Sequence, residues 1–247
     1  MTRLLSGLLL LAIGVTVLAG LELARLCQSL GAAARPWLVA LFAGIACAAA
    51  GWPGASPAVV LMIAAVAAGA GVVLRGAPDR AGVAGAATLV CAPLYLGLPL
   101  GSLVNVRWVE GLDAAVLLLL VVVASDTCQY YAGRLFGRRL LAPTISPRKT
   151  VEGALGGLFG GILVLAWLGG LWLPHVPLYA RVALGLVLVL AGIGGDLFES
   201  ALKRAAAVKD SSGLIPGHGG VLDRIDALLF AAPVYFVVLR YGLPRLP

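Results

Sequence analysis

The stretch LDAAVLLLLVVVASDTCQYYA, Leu112–Ala132, decides the fold. From Ala114 to Ser125 it carries no charge, and Leu and Val fill most positions. About 20 such residues, wound as a helix, cross the hydrocarbon core of a bilayer. A single carboxylate then stands at Asp126, where lipid contact would be costly, so its side chain should face a bundle interior or a wet cavity. Burial against a basic partner such as Arg134 and a functional role both fit it.

The pattern recurs on either side. Further apolar segments run over Leu4–Leu23, Pro36–Trp52, Pro57–Leu74, Val83–Val104, Gly153–Leu173, Ala180–Glu199 and Ala227–Tyr241. Turn signals separate them, as in GWPGASP (51–57) and RGAPDRAG (75–82). The expected fold is therefore all-α: a polytopic membrane helix bundle of about eight transmembrane helices, one integral membrane domain over 1–247. Composition agrees. Of 247 residues, 61% are hydrophobic and only 12% charged, against roughly a quarter charged in soluble domains. Glycines inside the spans, as in GALGGLFGG from Gly153, suit close helix packing in lipid. The N-terminal run resembles a signal peptide in outline and is read as an uncleaved first span. Cys27, Cys47, Cys91 and Cys128 are scattered without a Cys-x-x-Cys pair, so neither a disulfide frame nor a thiolate metal site is expected.

The formal net charge is +7. No nucleic-acid motif accompanies it. Lys and Arg concentrate instead in one set of alternating loops, including Arg75, Arg80, Arg138, Arg139, Arg148, Lys149, Lys203, Arg204 and Lys209. The positive-inside rule places that set in the cytoplasm. The polar segments Gly133–Glu152 and Lys203–Asp226 then share one membrane face.

Carboxylates are few, so each is informative. Asp79, Glu110 and Asp113 lie in short loops and read as solvated. Glu22, near the end of the first span, reads as interfacial. Asp196 and Glu199 close the seventh span, and Asp223 and Asp226 open the eighth. Each pair is spaced three residues apart and so shares a helix face. Lys203, Arg204, Lys209 and Arg224 lie between or beside these pairs. PGHGG (216–220) cannot continue a helix, and its glycines can bring backbone N–H groups close to an anion. Carboxylates, lysines and such a turn together point to phosphate chemistry with a divalent metal.

Ser200, Leu202, Lys203, Arg204, Lys209, Asp210, Pro216, His218, Gly219, Gly220, Asp223, Arg224 and Asp226 match in spacing the C-terminal signature of the phosphatidate cytidylyltransferases, or CDP-diacylglycerol synthases. A second stretch, Asp126–Gly157, resembles the same family through Ser146, Pro147, Lys149, Thr150, Glu152 and Gly153. Cys128–Gln129 stands where small residues are more usual. The resemblance covers the C-terminal half, making 112–247 the catalytic half and 1–111 the N-terminal helices. It implies transfer of CMP from CTP to phosphatidate, forming CDP-diacylglycerol and pyrophosphate. It implies Mg2+ and, in some members, a second cation such as K+. By position, Asp196 and Asp223 are the expected metal ligands. Ser200, Lys203, Arg204, Asp223 and Asp226 are the expected catalytic groups. Lys149, Glu152, Lys209, Asp210, His218, Gly219, Gly220 and Arg224 are expected to bind substrate. CTP, phosphatidate and membrane lipids are the expected partners, with a homodimer by resemblance alone and no nucleic acid. The implied location is the bacterial cytoplasmic membrane, with the site facing the cytoplasm. A CTP-dependent lipid-alcohol kinase and a small transporter are the alternatives.

Overall fold

The structure is a computed structural model that describes residues 2–76, 79–214 and 219–242. Pro216 and His218 lie outside these. Every expected apolar segment is helical. The order is α1 (Thr2–Ser29), α2 (Pro36–Gly51), α3 (Pro57–Val73), α4 (Arg80–Ala92), α5 (Leu98–Glu110), α6 (Leu112–Phe136), a hairpin of β1 (Leu140–Ala142) and β2 (Ser146–Thr150), then α7 (Val151–Trp172), α8 (Leu178–Ala205) and α9 (Leu222–Val237). Among the described residues, five continuous helices are long and apolar enough to cross a membrane: Ser6–Ser29, Arg80–Glu110, Leu112–Phe136, Val151–Trp172 and Leu178–Ala205. The apolar helices α2 and α3 are shorter, at 16 and 17 residues. Large apolar side chains such as Phe159, Trp167 and Leu171 on α7 are exposed, as befits a surface solvated by lipid.

Helices α4 and α5 form one rod through a π turn at Pro93–Gly97. Pro93 has no N–H to donate, so the hydrogen-bond ladder slips, and the Leu98 N–H reaches the Pro93 carbonyl.

The chain divides into two compact units. The first comprises Met1–Asn105 and Leu202–Ile225, the second Val106–Ala201 and Asp226–Pro247. In the first, α1 packs on α2 where a Cβ on Gly20 would stand 2.9 Å from the Ala40 Cα. Asn105 Nδ2 donates to the Ala50 carbonyl at 3.0 Å, tying α5 to α2. Asp79 caps α4 by accepting from the Gly82 N–H at 2.7 Å, and lies 4.0 Å from Arg75. It is therefore more than a solvated loop residue.

In the second unit α6 and α7 lie against each other along their length. A Cβ on Gly156 would be 3.0 Å from the Cys128 carbonyl, and one on Gly160 would be 2.9 Å from Cys128 Cβ. Gln129 occupies the space facing Gly157. The larger residues at 128 and 129 are thus accommodated by glycines on the facing helix. Tyr235 of α9 is buried and donates its hydroxyl to the Ala114 carbonyl at 3.1 Å. Glu110, also expected to be solvated, lies 3.5 Å from His175.

The polar stretch 133–152 is more ordered than a loop. It holds the end of α6 and the antiparallel hairpin, with Leu140 opposite Thr150 and Ala142 opposite Ser146. Pro147, which has no N–H to pair, is tolerated because two strands leave every edge open. Thr150 then caps α7, accepting from the Gly153 N–H at 3.1 Å.

Candidate active site

In the first unit the signature folds around Asp223, in the first turn of α9. Lys203, in the last turn of α8, donates to Asp223 Oδ1 at 2.5 Å. Both side chains are largely buried, 12% and 7% exposed. Asp223 Oδ2 accepts the Ser211 N–H at 3.0 Å and the Gly220 N–H at 2.7 Å, and lies 2.8 Å from Ser211 Oγ. Burial opposes the charged form of this carboxyl. The Lys203 ammonium and the Gly220 and Ser211 donors outweigh it and hold the group well below the usual carboxylate range.

Glycine is required on this loop. Gly219 has φ +79°, and a Cβ there would approach Asp223 Oδ2 to 2.8 Å. A Cβ on Gly220 would enter the space between Ser211 and the carboxylate of Glu22. Arg204, Lys209, Asp210 and Arg224 are exposed, with Arg204 Nη1 3.4 Å from the Val208 carbonyl.

Glu22 was expected at an interface. It is instead 2% exposed. Its Oε1 accepts from the Ser212 hydroxyl at 2.6 Å and the Val221 N–H at 3.0 Å. Its Oε2 accepts from the Leu222 N–H at 2.8 Å and lies 3.1 Å from Ser211 Oγ. Its donors come from about 190 positions later in the chain, so no local pattern could announce them. An ionisable residue in an otherwise apolar span was the available signal.

In the second unit a separate polar cluster forms. Lys149 of β2 makes an ion pair with Asp196 of α8. Ser200, one turn on, donates to Asp196 Oδ1 at 3.4 Å. Asp126, Asp196 and Asp226 lie within electrostatic range of one another, with Lys149 among them. Asp226 Oδ1 also accepts the Ala227 N–H at 2.7 Å. Asp126 faces a small pocket lined also by Ser125, Val121, Val189, Gly192 and Ala227. Its hydrogen-bond donor is Gln129 Nε2 at 3.3 Å, and not Arg134, whose Nη1 lies 3.1 Å from the Tyr130 hydroxyl. Eight helical residues advance about 12 Å, which puts Arg134 beyond reach.

Glu152 has a local task. Its Oε2 accepts the N–H groups of Arg138 at 3.0 Å and Arg139 at 3.2 Å, closing the base of the hairpin. Glu199 is fully buried.

Neither cluster is a closed metal cage. Among the described residues no three His, Cys, Asp or Glu side chains converge to hold an ion. Mg2+ does not demand one, since it typically takes one or two carboxylates plus substrate phosphate oxygens. Asp196 and Asp223 offer hard oxygen donors beside lysines, and a carboxyl held charged, as Asp223 is, suits such an ion.

A membrane helix bundle that carries partly buried carboxylate–lysine pairs offers charged groups suited to a phosphate-bearing substrate. A sequence model of the cytidylyltransferase family matches residues 3–242, and the chain belongs to that family. It is 45% identical over 134 residues to an uncharacterized protein, YnbB, of Escherichia coli K12, covering 54% of this chain and 45% of that one. It is 43% identical over 157 residues to a phosphatidate cytidylyltransferase of Synechocystis, covering 60% and 53%. A phosphatidate cytidylyltransferase of Staphylococcus aureus strain COL is 41% identical over 132 residues, covering 53% and 50%. The chain thus spans about half the length of the curated relatives it matches.

Proposed function

We propose that the chain transfers the cytidylyl group of CTP to phosphatidate, giving CDP-diacylglycerol and pyrophosphate. The observation that carries this reading is the ion pair of two signature residues, Lys203 and Asp223, held by Ser211 between them in sequence, in a chain of the cytidylyltransferase family. The names of the Synechocystis and Staphylococcus relatives support the choice of lipid.

In this reaction a phosphate oxygen of phosphatidate attacks the α-phosphorus of CTP. The α–β phosphoanhydride bond breaks, and its electron pair leaves with pyrophosphate. The attacking oxygen is already ionised at neutral pH, so no strong general base is needed. The barrier lies in bringing two anions together. Lys203, Arg204 and Arg224 supply positive charge for the phosphates, while the Gly219–Gly220 backbone leaves room for the Asp223 and Glu22 carboxylates. Asp223 orients Lys203 through their ion pair. Beside Asp196, Lys149 supplies positive charge and Ser200 donates to the carboxylate. Asp196 and Asp223 are each proposed as a Mg2+ ligand; an ion held by either would offset charge on the phosphates. The lysine- and arginine-rich loops face the cytoplasm of a bacterial inner membrane, by the positive-inside rule.

Purified full-length protein in detergent, given CTP with a labelled cytidine ring, phosphatidate and Mg2+, should yield labelled CDP-diacylglycerol and pyrophosphate. Release of CDP with no cytidine on the lipid would identify a kinase instead. No incorporation across detergents and divalent metals would overturn the proposal.

A further inference from the structure

We propose that Glu22, in the first helix, is a positioning residue for the transferase signature. The proposal rests on the functional reading above for its kinetic consequence and on geometry alone for its structural one. Glu22 accepts from two parts of the chain, at Ser211 and Ser212 and at Val221 and Leu222. The first pair are side-chain hydroxyls. The second pair are N–H groups at the start of α9, which have no partner inside that helix. A carboxylate from α1 thus caps α9 from outside its own sequence, where negative charge is favoured by the helix dipole.

The consequence for Asp223 is direct. Ser211 sits against both carboxylates, with Oγ 3.1 Å from Glu22 Oε2 and 2.8 Å from Asp223 Oδ2. Its N–H also bonds Asp223. A hydroxyl has one proton to give. Directed at Asp223 it leaves Glu22 its other three donors; directed at Glu22 it leaves Asp223 the two N–H groups and Lys203. Either way Glu22 fixes where Ser211 and residues 221–222 stand, and these fix Asp223 against Lys203. Gly220 is the residue that leaves room for this arrangement.

The test uses the full chain in detergent with Glu22→Gln, which keeps the side chain's size but replaces one acceptor oxygen by a donor. Amide hydrogen exchange should rise at residues 211–212 and 220–223 and stay unchanged in α6 and α7. The kcat, normalised to folded protein by size exclusion, should fall about 10- to 100-fold, the usual range for losing an outer supporting group, while KM for CTP moves less than about threefold. Ser211→Ala combined with Glu22→Gln should lose less than the product of the single losses, because both break one link. Glu22→Asp, with both oxygens kept, should recover part of the rate. Unchanged exchange at these amides would overturn the proposal. So would a kcat per folded molecule within twofold of wild type. If the wild-type chain transfers no cytidylyl group, the functional reading fails by itself, and the exchange measurement still decides whether Glu22 holds the signature.

Discussion

Replacing Asp223 by Asn separates the structural work of this carboxylate from its chemical work. In the folded chain Oδ2 faces three donor atoms and Oδ1 faces Lys203. An amide has one oxygen. If that oxygen takes the Oδ2 position, the NH2 group faces the Lys203 ammonium, donor against donor. If the amide flips, the NH2 faces two N–H groups. Either rotamer strands a largely buried charge or two buried N–H groups. Breaking a buried ion pair by removing one partner costs about 3–5 kcal/mol, and losing charge stabilisation at a phosphoryl centre costs at least about a hundredfold in kcat. The double variant Asp223→Asn, Lys203→Met removes the ammonium that faces residue 223 and should regain part of the stability with none of the activity. The assays are cytidylyl transfer and urea unfolding followed by the intrinsic fluorescence of the Trp residues. Near wild-type turnover in Asp223→Asn would refute the assignment of Asp223 to the site. A double variant no more stable than the single would refute the ion pair as the source of the loss.

The other predictions concern the surroundings. Lys149→Met should lower activity at least tenfold through the lost positive charge while lowering the Mg2+ concentration needed, because Asp196 loses the ammonium that competes with the ion; a magnesium titration checks this. Gly195→Val should reduce folded yield by about 1–3 kcal/mol of overpacking, since its side chain would collide with the Asp226 carbonyl; size exclusion of the detergent extract reports it. Asp223 has a depressed folded pKa, so its stabilising contribution is complete above the ordinary value of about 4 and is lost as pH falls below that toward the folded value. The stability gap between wild type and Asp223→Asn should therefore stay constant from about pH 7 to 5 and narrow below about 4, as read by urea midpoints. A cysteine replacing exposed Arg148 on β2 should react with an impermeant thiol reagent from the cytoplasmic side only.

The spans were legible because hydrocarbon thickness sets their length and apolar side chains mark it. Their ends were not. Helix α1 runs six residues past the expected Leu23, and α8 runs six past Glu199; polar ends continue a helix when packing supports them. The signature exposed Lys203, Asp223 and Gly220 as a group, because charge and glycine in an apolar chain stand out. Ser211 lies inside the polar segment Lys203–Asp226 yet does not stand out there, since serine signals little alone. The hairpin at Leu140–Thr150 was read only as a polar segment, for strands this short carry no periodicity. Glu22 was visible as a carboxylate but misplaced, because burial depends on partners that only the fold brings close.

Those partners are made long after Glu22 itself. Glu22 leaves the ribosome 189 residues ahead of Ser211, a lag of roughly 10–40 s at bacterial and eukaryotic synthesis rates. Throughout that interval the first helix must reside at the membrane with its carboxylate lacking Ser211, Ser212, Val221 and Leu222. Such a group weakens commitment of a segment to the bilayer by up to about 2.5–3.5 kcal/mol at full depth. Until α9 arrives, the apolar span Ser6–Ser29 and its packing on α2 have to hold the helix in place. Biogenesis of this protein thus closes residues 211–222 onto a helix made long before them. A translation product stopped before Ser211 would carry the five long spans found among the described residues and still leave Glu22 without its partners.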